Sequence, residues 1–147
     1  MTTPDPVLTP RLIVRGAARA IDVYTEALGA ECVERFATPE GKIVHAAMSV
    51  RGATFSIVDE DGTHSFAPTG PGATPVLLHL MVDDPDATAE RLVAAGGKIL
   101  IPIDDRFYGH REGRVADPFG HAWILSRKIA DLDDETIQKG VDAWAAG

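Results

Sequence analysis

A chain of 147 residues, 45% hydrophobic and 24% charged, lies in the ordinary globular range and is long enough for one substantial core, which excludes fibrous and disordered classes. Its 22 acidic residues outnumber 14 basic ones for a formal charge of −8, with no basic run, so nucleic acid is excluded as a partner. No stretch approaches the ~20 apolar residues of a membrane span, and the opening Met-Thr-Thr-Pro-Asp-Pro has no basic region followed by an apolar one; a cytoplasmic protein with no membrane partner is expected.

In chain order, residues 8–15 read as a strand, with Leu12 and Val14 on one face and Thr9, Arg11 and Ile13 on the other. Ala17, Ile21, Tyr24 and Leu28 then recur at helical spacing, Ala20 and Ala27 widen the stripe, and Gly29 is a suitable stop. Strands are expected at 31–38, 43–50 and 53–59, separated by Pro39-Glu-Gly-Lys and by Arg51-Gly52, giving a β-α-β-β-β unit over about 8–60. Cys32, on the first of these, is the chain's one cysteine: no intrachain disulfide or Cys-based zinc site is possible, and its acidic neighbours Glu31 and Glu34 discourage a thiolate, so it reads as a small strand residue.

Residues 61–74 contain three Gly and two Pro and read as a linker or mobile loop. The pattern then begins again over about 75–128. Val76 to Val82 is a strand, Asp84 an N-cap with Pro85 at the first helical position, and Ala89, Leu92 and Val93 a stripe that ends at Gly96-Gly97. Strands at 98–102, 112–117 and 121–126 follow, the last two joined by the turn Asp117-Pro118-Phe119-Gly120. Residues 133–146 read as a C-terminal helix with Ile137, Val141 and Trp144 on one stripe, to be buried on its own domain or on a second subunit.

One offset relates the two halves. Val14 and Val82, Gly29 and Gly97, and Gly52 and Gly120 are each 68 residues apart, and the same step carries Phe55 to Trp123 and Ile57 to Leu125. The fold class expected is therefore α+β, one domain of two β-α-β-β-β modules paired about a pseudo-two-fold axis. Alternation puts Leu12, Val14, Phe55, Ile57, Leu78, Leu80, Trp123 and Leu125 under the helices. The opposite face carries Thr9, Arg11, Thr54, Ser56, Leu77, His79, Met81, Ala122 and Ile124, a mixture of apolar and hydrogen-bonding groups suited to a ligand cavity.

Five stretches carry a family likeness: Ala20-Ile-Asp-Val-Tyr-Thr-Glu-Ala-Leu-Gly, Arg51-Gly-Ala-Thr-Phe-Ser-Ile-Val-Asp, Val82-Asp-Asp-Pro-Asp-Ala, Ala94-Ala-Gly-Gly, and the run from Asp105 to Trp123 that contains Arg-Phe-Tyr-Gly-His-Arg. On these the chain resembles the vicinal oxygen chelate superfamily, of glyoxalase and bleomycin-resistance type, and its PhnB-like branch. The resemblance implies a curved half-barrel around a cavity, often completed by a partner subunit. With the open flank that two short modules leave, a homodimer is expected. It also implies where a metal would sit, on the first and fourth strands of each module, which correspond to Thr9, Ser56, Leu77 and Ile124. Leu77 and Ile124 bind no metal and two hydroxyls replace poorly the family's His, Glu or Gln, so no metal and no cofactor is expected, and ketoaldehyde isomerisation, extradiol cleavage and thiol transfer to fosfomycin lose their electrophile.

Among the histidines, His64 falls in the linker, His121 beside a turn where it reads as structural, and His45 on a strand whose face alternation leaves open. His79 reads either as a polar group in the cavity or as a satisfied core histidine. The segment Asp104-Asp105-Arg106-Phe107-Tyr108-Gly109-His110-Arg111 places aromatics beside cations, able to stack on a flat ligand and grip an anionic group; alternatively it closes one end of the module with Arg106 and Arg111 paired to acids. The candidate ligand-binding set is Arg11, Ser56, His79, Arg106, Tyr108 and His110. The function expected is sequestration of a small organic molecule in a non-metal cavity. The alternative is a lyase, isomerase or transferase in which His79, Tyr108 or His110 moves a proton, or which uses an atypical metal.

Overall fold

A computed structural model describes residues 5–147; the reading of the N-terminus as free of a leader rests in part on residues 1–4, which lie outside the described residues. The elements run β1 (Arg11–Val14), α1 (Ala17–Leu28), β2 (Glu31–Ala37), β3 (Ile43–Val50), β4 (Ala53–Asp59), β5 (Leu77–Met81), α2 (Pro85–Ala94), β6 (Lys98–Asp105), β7 (His110–Ala116), β8 (Ala122–Lys128) and α3 (Asp134–Ala146). Two compact units divide the chain, one ending at Thr69 and the other starting at Gly70. No helix among the described residues is long and apolar enough to cross a membrane.

In the first unit the sheet order is β1-β4-β3-β2, and in the second it is β5-β8-β7-β6. β1 is parallel to β4, with Arg11 opposite Ser56 and Leu12 opposite Ile57. β5 is parallel to β8, with His79 opposite Ile124 and Leu80 opposite Leu125. The 68-residue step that aligns the sequences therefore carries one register onto the other. Parallel neighbours require a crossover, which α1 and α2 provide, and each helix covers one face of its sheet. Phe55 lies on that face: its ring meets Tyr24 of α1 edge-on with centroids 5.5 Å apart. Val14, Ile57 and Leu125 are fully buried, and Trp123 nearly so, as the alternation requires.

The start of α1 depends on a residue far away in sequence. Gly16 takes φ +83° and has no side chain with which to cap. Asp59, at the end of β4, does it instead: Oδ1 accepts the N–H groups of Gly16 at 3.1 Å and Ala17 at 2.8 Å, and Oδ2 accepts that of Ile43 at 2.8 Å. α2 is capped locally, Asp84 accepting from Ala87 N. In the β7–β8 turn Asp117 is buried and accepts from Phe119 N, His121 N and the Trp123 indole Nε1, which settles the polar atom of a buried tryptophan.

Of the boundaries that differ from expectation, three bear on the candidate site residues. β1 begins at Arg11, not Leu8, because Pro10 has no N–H for the ladder and contributes only its carbonyl, which accepts from Ser56 N. Thr9 consequently lies outside the strand. β6 continues past 102 to Asp105, through Pro102, which an edge strand tolerates, with register shifts between Ile99 and Ile101 and between Ile101 and Asp104. β7 begins at His110, so the expected loop contracts to a tight turn in which Arg106 N donates to His110 O and Gly109, at φ +87°, donates to Arg106 O.

Phe55→Ala and Trp123→Ala should each lower unfolding free energy by about 3–5 kcal/mol, the usual cost of emptying a buried aromatic site, read as a shift of the urea midpoint. In the segment after β4, Asp61 Oδ1 accepts from the backbone N–H of Thr63, His64 and Ser65, each at 2.8 Å. These bonds favour the carboxylate and hold its pKa down at about 2, from an ordinary 3.8. A folded pKa below the unfolded one means that the stabilisation of this turn is complete above about pH 4 and lost as the pH falls towards 2. NMR titration of the Asp61 carboxyl should give a midpoint near 2, and a midpoint at the ordinary value would refute the turn geometry.

Candidate functional site

The second unit carries the candidate site. Along β7 the side chains of His110, Glu112, Arg114 and Ala116 share the face away from Val115, opposite Lys128, Ser126, Ile124 and Ala122 of β8. His79 faces Ile124 from β5, and Ile101 faces Arg114 from β6, so His79, Ile124, Arg114 and Ile101 form one row across the sheet. Gly113 makes that row possible: a Cβ there would stand 2.5 Å from Ile101 O and 2.7 Å from Ile103 N, so the bulged β6 backbone comes this close only to glycine.

On this face lies a cleft of about 510 Å³. Its apolar walls are Ile101, Phe107, Ile124, Val141 and Trp144; its polar groups are Arg106, Tyr108, Glu112 and Arg114. Val141 and Trp144 come from α3, whose Gly140 lies against the Phe107 ring so closely that a Cβ would stand 2.5 Å from it. Phe107 in turn meets Tyr108 edge-on, with centroids 5.1 Å apart. The helical stripe expected to need cover is thus turned towards its own unit at Val141, while Trp144 remains 73% exposed at the cleft.

Each polar group has a distinct state. Arg106 donates Nε to Glu112 O at 3.1 Å and Nη2 to Pro102 O, both backbone carbonyls, so it staples the hairpin. Glu112 is buried, and its carboxylate is near enough to the Tyr108 hydroxyl to act on it electrostatically. Burial, then Glu112's charge and hydrogen bond, push the Tyr108 pKa up to about 12 against the opposing pull of Arg106. Arg114 Nε is buried with no hydrogen-bond partner among the described residues. His110 Nδ1 is 3.0 Å from the hydroxyl of fully buried Ser126. Arg111, on the other face, forms a bidentate pair with Asp86 of α2 at 2.8 and 2.9 Å and a third bond to Asp105, holding the Asp86 carboxyl below its usual range.

Of the residues singled out from sequence, Arg106 and Tyr108 line this cleft. His110 sits beside Tyr108, ring centroids 6.0 Å apart, and is engaged by Ser126. His79 is exposed on the same sheet row. Arg11 and Ser56 belong to the first unit, where Arg11 Nη1 lies 3.4 Å from Ser56 Oγ and 3.0 Å from His45 Nδ1, while His45 Nε2 meets Glu34 Oε2 at 3.1 Å. An arginine N–H facing Nδ1 makes that nitrogen the acceptor, which leaves Nε2 to donate to Glu34. His45, Glu34, Glu112, Arg114 and Trp144 were not among the sequence candidates. The signal for the two β7 residues was their period of two from His110, which becomes readable only once the strand is known to start there.

The residues do not fit the superfamily's metal. Opposite Ser56 stands Arg11, a cation, in place of Thr9; opposite Ile124 stands His79, a single donor beside a hydrocarbon. Among the described residues no three or more His, Cys, Asp or Glu side chains gather as a metal-binding group.

Comparison with known proteins agrees with the architecture. The Mycobacterium bovis protein Mb0911c, described as uncharacterized, is 38% identical over 147 residues covering 97% of each chain. Among solved structures, TioX from Micromonospora sp. ML1 is similar with a TM-score of 0.65 and 26% identity over 85% of this chain and 100% of that one. The PhnB protein of Bacillus cereus is similar with a TM-score of 0.64 and 25% identity over 82% of this chain and 98% of its own. Residues 5–125 match the sequence profile of one family, and this chain belongs to it: the Glyoxalase/Bleomycin resistance protein/Dioxygenase superfamily.

Proposed function

We propose that this protein binds and sequesters a small, flat, partly apolar organic molecule in the cleft between the open face of the second sheet and α3, without a metal. The observation that supports it most is the composition of that cleft: five apolar side chains, two of them aromatic, around four polar ones, in about 510 Å³, the volume and balance of a small-molecule site. A bound ring would cover Trp144, which is otherwise left largely in water.

The polar groups favour holding a ligand over converting it. A general base must lose its proton near the working pH; Tyr108, at about 12, keeps its own and serves as a hydrogen-bond donor. His110 is occupied by Ser126. The reading extends to a homodimer, supported by the edge strands: among the described residues β2 and β6 each have a strand neighbour on one side only, and they expose Val33 and Phe36, and Ile99, Leu100 and Ile101.

A ligand retained from a small-molecule extract and released by denaturation should have the same mass before and after prolonged incubation with the protein, and Trp144→Ala should bind it about tenfold more weakly, as loss of an aromatic platform implies. A product of altered mass would establish the enzyme reading instead, and an unchanged affinity in Trp144→Ala would move the site elsewhere. Sedimentation velocity should show a dimer; a monomer at every concentration tested would remove the edge-strand argument.

A further inference from the structure

Resting on the binding reading above, we propose that the ligand of this cleft is an organic monoanion, a flat apolar body bearing one carboxylate or comparable oxyanion, and that Arg114 is the residue that receives the charge. Among the described residues, the buried Nε of Arg114 has no partner. A buried donor left unmatched is destabilising unless something else supplies its acceptor. Arg114 lines the cleft on the same row as Ile124 and Ile101, where apolar walls strengthen any ion pair formed. Arg106 does not compete for this role, because its Nε and Nη2 are committed to the carbonyls of Glu112 and Pro102.

Charge decides the valence. Two guanidinium groups and one carboxylate line the cleft, a surplus of one positive charge on a chain whose formal charge is −8. Such a cleft is a local sink for a single negative charge within an otherwise repelling surface. A dianion would meet the Glu112 carboxylate, which lies two residues from Arg114 on the same strand face. The planar fork of arginine suits a carboxylate, which it grips with two parallel N–H groups. The aromatic body then lies towards Trp144 and Val141.

Two fluorescent dyes that share one ring frame test this, 1-anilinonaphthalene-8-sulfonate and its uncharged parent N-phenyl-1-naphthylamine. The wild-type protein should bind the sulfonate at least about tenfold more tightly than the parent. Arg114→Gln should erase that preference while leaving the neutral dye within about twofold, whereas Trp144→Ala should weaken both. Arg127→Gln, which removes an exposed arginine outside the cleft, should change neither, and thermal unfolding of each variant checks that it folds. Equal affinities for the two dyes in the wild type, or an Arg114→Gln effect no larger than that of Arg127→Gln, would overturn the anion assignment while Trp144-dependent binding kept the cleft as a ligand site. If neither dye bound in a Trp144-dependent way, both readings would fall.

Discussion

In each unit the first strand is hydrogen-bonded in parallel to the fourth, β1 to β4 and β5 to β8, and this pairing constrains everything built on it. Two parallel strands cannot be joined by a tight turn, so the chain must cross over the sheet, and the amphipathic helix that crosses covers one face only. The fourth strand becomes an interior strand with two unlike sides. On β8, Trp123 and Leu125 are buried, while Ile124 between them lines the cleft. The same asymmetry holds in β4, where Phe55 meets Tyr24 and Ser56 lies opposite Arg11. The cleft is a consequence of the pairing, since the face that α2 does not cover is the one beside which α3 places Val141 and Trp144.

The β6–β7 hairpin shows how charge is divided between structure and site. Alternation along β7 sends Arg111 towards α2, where Asp86 holds it together with Asp105 of β6, and sends Glu112 and Arg114 to the opposite side. Arg106, at the turn, spends its donors on main-chain carbonyls of both strands. Three arginines within nine positions thus carry three different tasks: tying the hairpin to a helix, closing its turn, and facing the cleft. Gly113 lets the bulged neighbouring strand come close enough for the last of these to lie beside Ile101.

Local pattern made much of this legible. The helix at Ala17–Leu28 and the strands at Ile43–Val50 and Ala53–Asp59 are where hydrophobic spacing placed them, because their burial follows a single period and their ends carry Gly turns. The repeat was legible as well, and its step reappears in the strand registers. What local pattern did not carry was non-local. Asp59 caps a helix more than forty residues upstream. Thr9 looked like a strand position, but Pro10 starves the ladder there. The extent of β6 depends on two register shifts and on Gly113, none of which has a hydrophobic signature, so in sequence Arg106 to His110 has the look of a loop and nothing marks the face shared by His110, Glu112 and Arg114. The stripe on α3 is visible in the sequence, but its choice of neighbour is made by Gly140 against Phe107, a contact between residues distant in sequence.

The two open faces, alike in register, differ in how their polar groups are satisfied. In the first unit, Arg11 donates to Val44 O and lies within reach of Ser56 and His45, and His45 passes on to Glu34, so the groups on that face answer one another. A face closed in this way offers a ligand little that water and protein do not already supply. In the second unit, Glu112 has Tyr108 beside it and Ser126 is met by His110, but among the described residues Arg114 Nε is left over, inside apolar walls. Buried polar groups are nearly always matched, so the face with one donor in excess has the stronger claim to a ligand. By the same reasoning the metal-bearing relatives of this family offer a poor guide to the chemistry here: where they need ligands for a cation, this chain places Arg11 beside Ser56 and Ile124 beside His79, and its second unit presents a cation of its own.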